Sequence, residues 1–230
     1  MKSKLPFELP CEGGDNLMPS STMQGSTQGT TELSKEELRH MEEVYKGEVM
    51  EFKTLWTIYL MEKDLARKHG KLKKFPKFPN WKPEGSQFSS DLHSSILGGL
   101  LPTAVTYQHY VSEAKQHSRS FVYISTQHPS KKPTIAFYRP PFEYSSGCST
   151  SCPSAPCFGV IDKIYQHSFA QQVFMWAVVR FYRKPNFIPS CGLWCCDGSF
   201  GKTAPVLLSR LSHPLTTAVD EKRQIWFLDA

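Results

Sequence analysis

The sequence predicts an α+β protein in which N-terminal helices precede a small antiparallel β-barrel-like domain. Residues 34–70 place apolar side chains at helical spacing, whereas residues 158–230 contain several short runs rich in β-branched and aromatic residues. A Gly-, Ser- and Thr-rich stretch precedes both regions and offers little apolar surface to bury. We therefore expect a disordered tail at 1–31, a helical segment and basic-aromatic linker at 32–83, and a β-rich domain at 84–230.

Composition sets limits on the class of protein. The 230 residues carry a formal net charge of +6 with a pI of about 8.9, which permits nucleic acid or an acidic surface as partner without requiring either. The mean hydropathy is −0.38, and no apolar run approaches the roughly 20 residues that span a bilayer. The N-terminal stretch is broken by Pro6 and Pro10, so we expect no secretory signal and a reducing, intracellular setting.

The first helix is predicted to begin at Ser34. Glu37 lies three residues further on and completes a capping box, in which each residue bonds the backbone N–H of the other. Leu38, Met41 and Tyr45 then share one helical face.

A longer helix is predicted over residues 48–70. Gly70 stands where a helix commonly ends in the left-handed conformation. We interpret its apolar stripe as a helix-packing face, formed by Phe52, Leu55, Trp56, Tyr59 and Leu65.

A basic-aromatic connector follows this helix, and its prolines oppose both a regular helix and a central strand. Its cations suit phosphates and its aromatic rings suit base stacking, so nucleic-acid binding is one interpretation. A nuclear-import patch is a second, and a solvated linker whose aromatic residues dock on the domain is a third. The candidate nucleic-acid-binding residues here are Lys71, Lys73, Lys74, Lys77, Trp81 and Lys82.

The middle of the chain gives weaker signals. We expect a short helix after Pro102 and strands at "SFVYIST" and "TIAFYR". The stretch "PPFEYSSGCSTSCPSAPC" has the composition of a loop.

A β-hairpin is the best-defined element of the C-terminal third. Its strands are "FGVIDKIYQHSF" and "QVFMWAVVRFYR", and Ala170-Gln171 is not a signature turn pair, so a loop longer than two residues is expected. Further strands are predicted at "GLWCC", "APVLLSRL" and "RQIWFLDA". The basic end of the hairpin supplies three more candidate nucleic-acid contacts, Arg180, Arg183 and Lys184.

Two cysteine pairs flank the hairpin. Cys148 with Cys152 and Cys191 with Cys195 are each spaced C-x3-C, and a structural zinc typically takes two pairs spaced C-x2–4-C. The knuckle glycines that usually accompany such pairs are missing. Free loop and core thiols are therefore the preferred interpretation, with zinc as the alternative and no other cofactor expected.

Catalytic signatures are weak. "DGSFGKT" lacks the first glycine of a phosphate-binding loop, because that position is Cys196, so it is interpreted as a strand-connecting loop. His167 is expected at a strand end with a local hydrogen bond. An enzyme with a concealed metal site, using Asp197 or His167, is the least favoured hypothesis.

The order of motifs in residues 158–230 resembles the C-terminal module of transposon-encoded proteins of the CACTA (En/Spm) type. That pattern has an aromatic-Gly-x-Ile strand, an aromatic and basic strand, a Pro-hydrophobic-x-x-Ala segment and a Gln-hydrophobic-aromatic-hydrophobic-x-Asp strand. The matching residues are Phe158, Gly159, Ile161, Trp176, Val178, Tyr182, Pro214, Leu215, Ala218, Gln224, Ile225, Trp226, Phe227 and Asp229. The module is also similar in architecture to the bromo-adjacent homology domain, a β-rich chromatin-interaction fold.

The resemblance implies a detached, non-catalytic piece of transposon origin, because the catalytic core of a transposase has no place in this chain. The leading hypothesis is a nuclear protein that contacts DNA or chromatin through its basic residues. A protein–protein adaptor is the alternative, in which the hairpin and closing strand expose an edge to a partner strand. A vestigial reading frame without selected function is the remaining one.

Overall fold

Three helices and eleven strands form the part of the chain that the computed structural model describes, namely residues 25–46, 51–77, 90–116, 119–138, 156–170 and 172–228. The helices are α1 (Lys35–Val44), α2 (Phe52–Lys68) and α3 (Ser90–Leu100). The strands are β1 (Gly25–Glu32), β2 (Ala104–Gln116), β3 (Arg119–Ile124), β4 (Ile135–Tyr138), β5 (Cys157–Phe169), β6 (Gln172–Tyr182), β7 (Asn186–Ile188), β8 (Leu193–Cys196), β9 (Phe200–Leu207), β10 (Leu211–Val219) and β11 (Ile225–Leu228).

The start of α1 confirms the predicted capping box. The Ser34 backbone N–H donates to the Glu37 carboxylate at 3.1 Å, and the Glu37 backbone N–H donates to the Ser34 hydroxyl oxygen at 3.2 Å. Met41 and Tyr45 are fully buried on the predicted face. The cap therefore determines where α1 begins, and the apolar face determines which side of the helix is buried.

Helix α2 is also confirmed, with Gly70 beyond its end in the left-handed region at φ +68°. Leu55 and Tyr59 of the predicted stripe are buried, whereas Leu65 is 39% exposed. Packing therefore covers only the N-terminal half of this helix.

The expected helix after Pro102 is wrong. The helix α3 ends before this proline, with Ile96 and Leu97 fully buried, and β2 follows it. Proline is incompatible with a helix interior, so it separates the two elements instead of opening a helix.

The disordered tail expected at 1–31 is wrong for residues 25–31. They belong to β1, which pairs antiparallel with β2 from Gly25 opposite Val111 to Glu32 opposite Ala104. Their side chains are polar, so the strand is held by backbone hydrogen bonds to β2 and not by apolar burial. Composition could not reveal this, because the partner strand lies more than 70 residues away.

The hairpin of β5 and β6 is the longest pairing among the described strands, and it contains one register shift between Ile161 and Lys163. It runs from Gly159 opposite Phe181 to Phe169 opposite Gln172, which leaves two residues between the strands. The expected longer loop is therefore wrong; Ala170 takes a positive φ of 54° and makes the tight turn possible.

Every strand pairing in the described part is antiparallel, which confirms the α+β class with a large antiparallel sheet. The strand order is β1-β2-β5-β4-β10-β11-β8-β7, with β3 beside β2, β6 beside β5 and β9 beside β6. These pairings among the described residues show no closure into a barrel.

The sheet order corrects the edge expected for a protein–protein adaptor. Strand β5 lies between β6 and the pair β2 and β4, strand β6 lies between β5 and β9, and strand β11 lies between β10 and β8. Within the described residues, most of the hairpin and the closing strand are therefore paired on both sides, and only the turn end of the hairpin, residues 167–169 and 172–175, is paired on one side. The sequence shows strand character but not which strands lie beside one another.

Residues of the hairpin belong to three buried clusters. The first joins the three helices to one end of it through Tyr45, Tyr165 and Trp176. The second surrounds Ile161 and Val179 in its middle, and the third lies at its other end. The helical segment and the β-rich part therefore share one of their cores.

Gly159 is required by the close approach of the two hairpin strands. A Cβ at this position would lie 2.5 Å from Val179 Cγ1 and 2.8 Å from the Arg180 carbonyl oxygen. We predict that Gly159→Ala lowers the free energy of unfolding by about 1–3 kcal/mol, because the backbone of β6 must shift. Urea unfolding would measure this.

Gly98→Ala is the matched control for that change. Its Cβ would meet only the flexible Glu42 carboxylate at 3.3 Å, within helix α3. Alanine there should leave stability unchanged or raise it by about 0.5–1 kcal/mol. Equal midpoints for Gly159→Ala and the wild type would contradict the packing argument.

Candidate nucleic-acid interface

The end of β6 presents two adjacent basic side chains. Arg183 and Lys184 follow the last residue of the strand, and both are exposed. Lys184 adopts a positive φ of 44°, which is uncommon for a residue other than glycine. The Arg183 backbone N–H donates to the Ser199 carbonyl at 2.8 Å, so this turn is fastened to the turn between β8 and β9.

A depression of about 360 Å³ opens beside this turn. Three chain segments line it: the turn between β6 and β7, the end of β8 with the turn after it, and the residue before β11. The lining residues are Arg183, Lys184, Asn186, Cys195, Cys196, Asp197, Ser199 and Gln224. We call this feature the β6–β7 depression.

Asp197 is the one acidic residue that lines the β6–β7 depression, and its oxygen is engaged by its own loop. The Ser199 backbone N–H and hydroxyl both donate to Asp197 Oδ1, at 2.8 and 2.6 Å. These bonds, with a smaller contribution from the charge of Arg183, lower the pKa of Asp197. The carboxylate is therefore ionised at neutral pH and partly neutralised by its neighbours.

The same loop confirms the interpretation of "DGSFGKT" as a strand connection. Gly198 turns the chain at φ +79°, and β9 begins at Phe200, so a strand follows where a phosphate-binding loop would require a helix.

Gln224 is positioned by the turn between β10 and β11. Asp220 Oδ1 accepts the Gln224 backbone N–H at 2.8 Å, and Asp220 Oδ2 accepts the Trp226 indole N–H at 3.0 Å. The indole bond is the main cause of the lowered pKa of Asp220. Arg223, the residue before Gln224, has a positive φ of 63° and is exposed.

Arg180 has a different environment from Arg183 and Lys184. Its guanidinium bonds Asp162 at 3.1 Å and lies over the Phe200 ring, 4.3 Å from its centroid. Phe200 in turn stacks on Tyr182 with centroids 4.7 Å apart. Arg180 is thus partly committed to structural contacts, and it does not line the β6–β7 depression.

The connector is described only as far as Lys77. One turn of 3-10 helix covers Leu72–Lys74, and the four lysines of this portion are all exposed, namely Lys71, Lys73, Lys74 and Lys77. Trp81 and Lys82 lie outside the described residues.

Phe75 docks on the protein instead of projecting with the lysines. Its ring centroid lies 5.4 Å from that of Tyr59, and the Tyr59 hydroxyl donates to the Pro76 carbonyl at 3.3 Å. The docked-linker interpretation therefore holds for this aromatic residue. Base stacking by Phe75 would require it to leave a partly buried position.

The two basic groups belong to different parts of the described structure, because the connector follows α2 and Arg183 follows β6. Phe75 packs against the cluster that contains Phe174, near the start of β6, whereas Arg183 follows Tyr182 at its end. Eight residues of extended strand separate Phe174 from Tyr182, or about 26 Å at 3.3 Å per residue. The structure does not bring the connector and the hairpin end together.

Only two of the four cysteines named as candidate zinc ligands lie within the described residues. Cys191 is exposed and Cys195 is buried, while Cys148 and Cys152 lie outside the described part. Burial is the main cause that raises the pKa of Cys195 and of Cys196, which favours protonated thiols. The described residues contain no group of three or more potential metal ligands.

His167 is buried in a long-range network, so the expected local hydrogen bond at a strand end is wrong. Because the Pro102 carbonyl can only accept, His167 Nε2 carries the proton and donates to it at 2.8 Å. Nδ1 then accepts from the Tyr45 hydroxyl at 2.9 Å, and the Tyr45 oxygen accepts from the Trp176 indole at 3.3 Å. Both ring nitrogens are therefore bonded, Nδ1 to the residue at the end of α1 and Nε2 to the segment between α3 and β2.

Sequence reasoning missed three residues of the β6–β7 depression: Asn186, Ser199 and Gln224. Each is a common surface residue, and only strand pairing brings them together. Asn186 lies opposite Cys195, and Cys196 lies opposite Ile225, the residue after Gln224. No local spacing signals this arrangement.

Comparison with family models, with curated proteins and with solved structures finds no match. Among the described helices, none combines the length and the apolar character needed to cross a bilayer. The case for function therefore depends on the residues themselves.

The buried imidazole predicts a pH dependence of stability. Burial lowers the pKa of His167 below its ordinary value, and the bond to Pro102 opposes this only in part. In the unfolded chain the ring takes up a proton near pH 6.5, which the folded state resists. The free energy of unfolding should therefore fall as pH drops below about 6.5, by up to about 1.4 kcal/mol per pH unit.

His167→Gln is the variant that isolates this contribution. Glutamine offers one donor and one acceptor but does not titrate, so its stability should depend less on pH than that of the wild type. Urea unfolding from about pH 5 to about pH 8 would measure both slopes. Identical slopes would refute a role for His167.

Proposed function

We propose that this chain is a non-catalytic, transposon-derived nuclear protein that associates with nucleic acid or chromatin through exposed basic side chains. Its β-rich part would serve as a curled, barrel-like scaffold for them. The observation that supports this most directly is the β6–β7 depression. There two exposed cations adjoin the side-chain amides of Asn186 and Gln224, and both are donor types that bind phosphate oxygens.

The exposed lysines of the connector support the same proposal. Four of them occur within seven residues, and none faces the core. Lysine contacts to phosphates release counterions and do not depend on base sequence. The same cluster would suit nuclear import, which agrees with the proposed location.

The adaptor alternative receives less support from three of the remaining edges, β1, β7 and β9; strand β3 is also paired on one side only, with β2. Strand β1 is interrupted by two register shifts, and β7 has only three residues, between Pro185 and Pro189. Strand β9 carries Lys202, Pro205 and a register shift. Bulges, prolines, lysines and short strands are the devices by which proteins prevent edge pairing. We therefore favour nucleic acid over a partner β-strand.

Fluorescence anisotropy with a short labelled duplex tests the proposal at two salt concentrations, about 50 and 200 mM. We predict that the wild type binds more weakly at the higher salt. Changing the four connector lysines Lys71, Lys73, Lys74 and Lys77 to Gln should weaken binding at low salt. The slope of log affinity against log salt should fall by about 0.9 for each lost phosphate contact.

A variant with the same loss of charge elsewhere is the control. Lys53, Lys131, Lys132 and Lys222 are exposed and lie outside both basic groups, so their change to Gln removes four charges without altering the connector. Equal weakening in the two variants would show that net charge alone attracts the duplex. Absence of binding by the wild type at low salt would contradict the proposed function.

A further inference from the structure

We infer that the β6–β7 depression is a subsite for one phosphate ester group of a nucleic-acid strand. This inference rests on the proposed function and deepens it, because it names the ligand chemistry of one particular site. The connector would supply the diffuse electrostatic attraction. The depression would supply the localised contact.

The walls of the depression carry the donors that a phosphate group requires. Arg183 brings a planar guanidinium, and Lys184 brings an ammonium from the adjacent residue. Asn186, the first residue of β7, and Gln224, the residue before β11, add neutral side-chain amides. A phosphate ester has several acceptor oxygens pointing in different directions, so donors from several walls can bind it together.

The electrostatics of the depression favour an anion. Arg183 and Lys184 outnumber the one carboxylate, Asp197, whose Oδ1 already accepts two bonds from Ser199. The two thiols that line the depression belong to buried residues and add no charge while they remain protonated. The ionisable groups of the lining therefore carry a net charge of +1 at neutral pH, from two cations and one anion.

Hydrogen bonds within the protein fix the backbone around the depression. The bond from the Arg183 N–H to the Ser199 carbonyl joins two of its walls, and the Asp220 carboxylate holds Gln224 in the third. Gly201 lets the Arg183 side chain lie close, because a Cβ there would come within 3.1 Å of Arg183 Cγ. A backbone fixed in this way loses less entropy when the site binds a ligand.

The left-handed backbone of Lys184 is the unusual feature of the site. A residue other than glycine at φ 44° costs of order 1 kcal/mol, and such conformations cluster where a side chain must be presented to a ligand. Glycine or asparagine would relieve the strain but would remove the charge. A cation at this position is consistent with binding an anion.

Two-dimensional amide NMR of the full chain tests the inference. Inorganic phosphate is titrated first, followed by a short thymidine strand with and without a 5′-phosphate. We expect shifts confined to residues 183–186, 195–199 and 224, including the side-chain amides of Asn186 and Gln224. Tighter binding of the 5′-phosphorylated strand would identify a terminal monoester, and equal binding would identify internal diesters.

Lys184→Asn is the decisive variant, because asparagine tolerates the left-handed backbone while the charge is lost. It should weaken phosphate binding about tenfold, the effect of losing one charge-assisted hydrogen bond. Lys132→Asn, in the exposed loop between β3 and β4, makes the same chemical change elsewhere and should bind like the wild type.

Three results would overturn the subsite: shifts outside the depression, undiminished phosphate binding by Lys184→Asn, or tighter binding of an acidic peptide than of phosphate at these residues. If duplex binding persists, depends on the connector lysines and is unchanged in Lys184→Asn, then the proposed function stands and the subsite fails. If phosphate binds but no nucleic acid does, the proposed function fails instead.

Discussion

The pairing of β5 with β6 is the constraint on which the rest of the structure depends. Ten residue pairs hold the two strands together, and both are flanked by further strands. Their side chains enter all three buried clusters, so each core forms only if this hairpin has the correct register. Gly159 shows how close the approach is, because the backbone of β6 occupies the space where its Cβ would lie. The position of the basic turn after Tyr182 follows directly from that register.

The helices are fixed to this hairpin by one buried polar network. The Tyr45 oxygen accepts a hydrogen bond from the Trp176 indole N–H, and the Tyr45 hydroxyl donates to His167 Nδ1. His167 Nε2 in turn donates to the Pro102 carbonyl. Burial raises the pKa of Tyr45 well above its ordinary value, so the phenol keeps the proton that the bond to His167 requires. Each member of the network is satisfied, which makes it specific as well as stabilising. Because the helices are held at this end of the hairpin, the connector that follows α2 is held there too.

Local signals account for the elements that could be predicted. The capping box at Ser34, Gly70 after α2 and the β-branched runs of the hairpin each act within a few residues. Strand β1 and the fastened walls of the β6–β7 depression depend instead on partners distant in sequence, as when Asn186 lies opposite Cys195. Charge alone marked Arg183 and Lys184 as candidates. It could not show that Arg180 is engaged by Asp162 and Phe200, because that depends on strand register.

The separation of the two basic groups limits how nucleic acid could use both. The strand from Phe174, which belongs to the cluster that Phe75 of the connector packs against, to Tyr182 before the basic turn is about 26 Å long, which corresponds to about eight base pairs of duplex at 3.4 Å each. A shorter ligand can reach only one of them at a time. A longer one that runs along the hairpin gains from the high effective concentration of the second site once the first is bound. In the proposed function, two individually weak contacts would therefore combine into a stronger one only on strands that exceed this length, without any base being read.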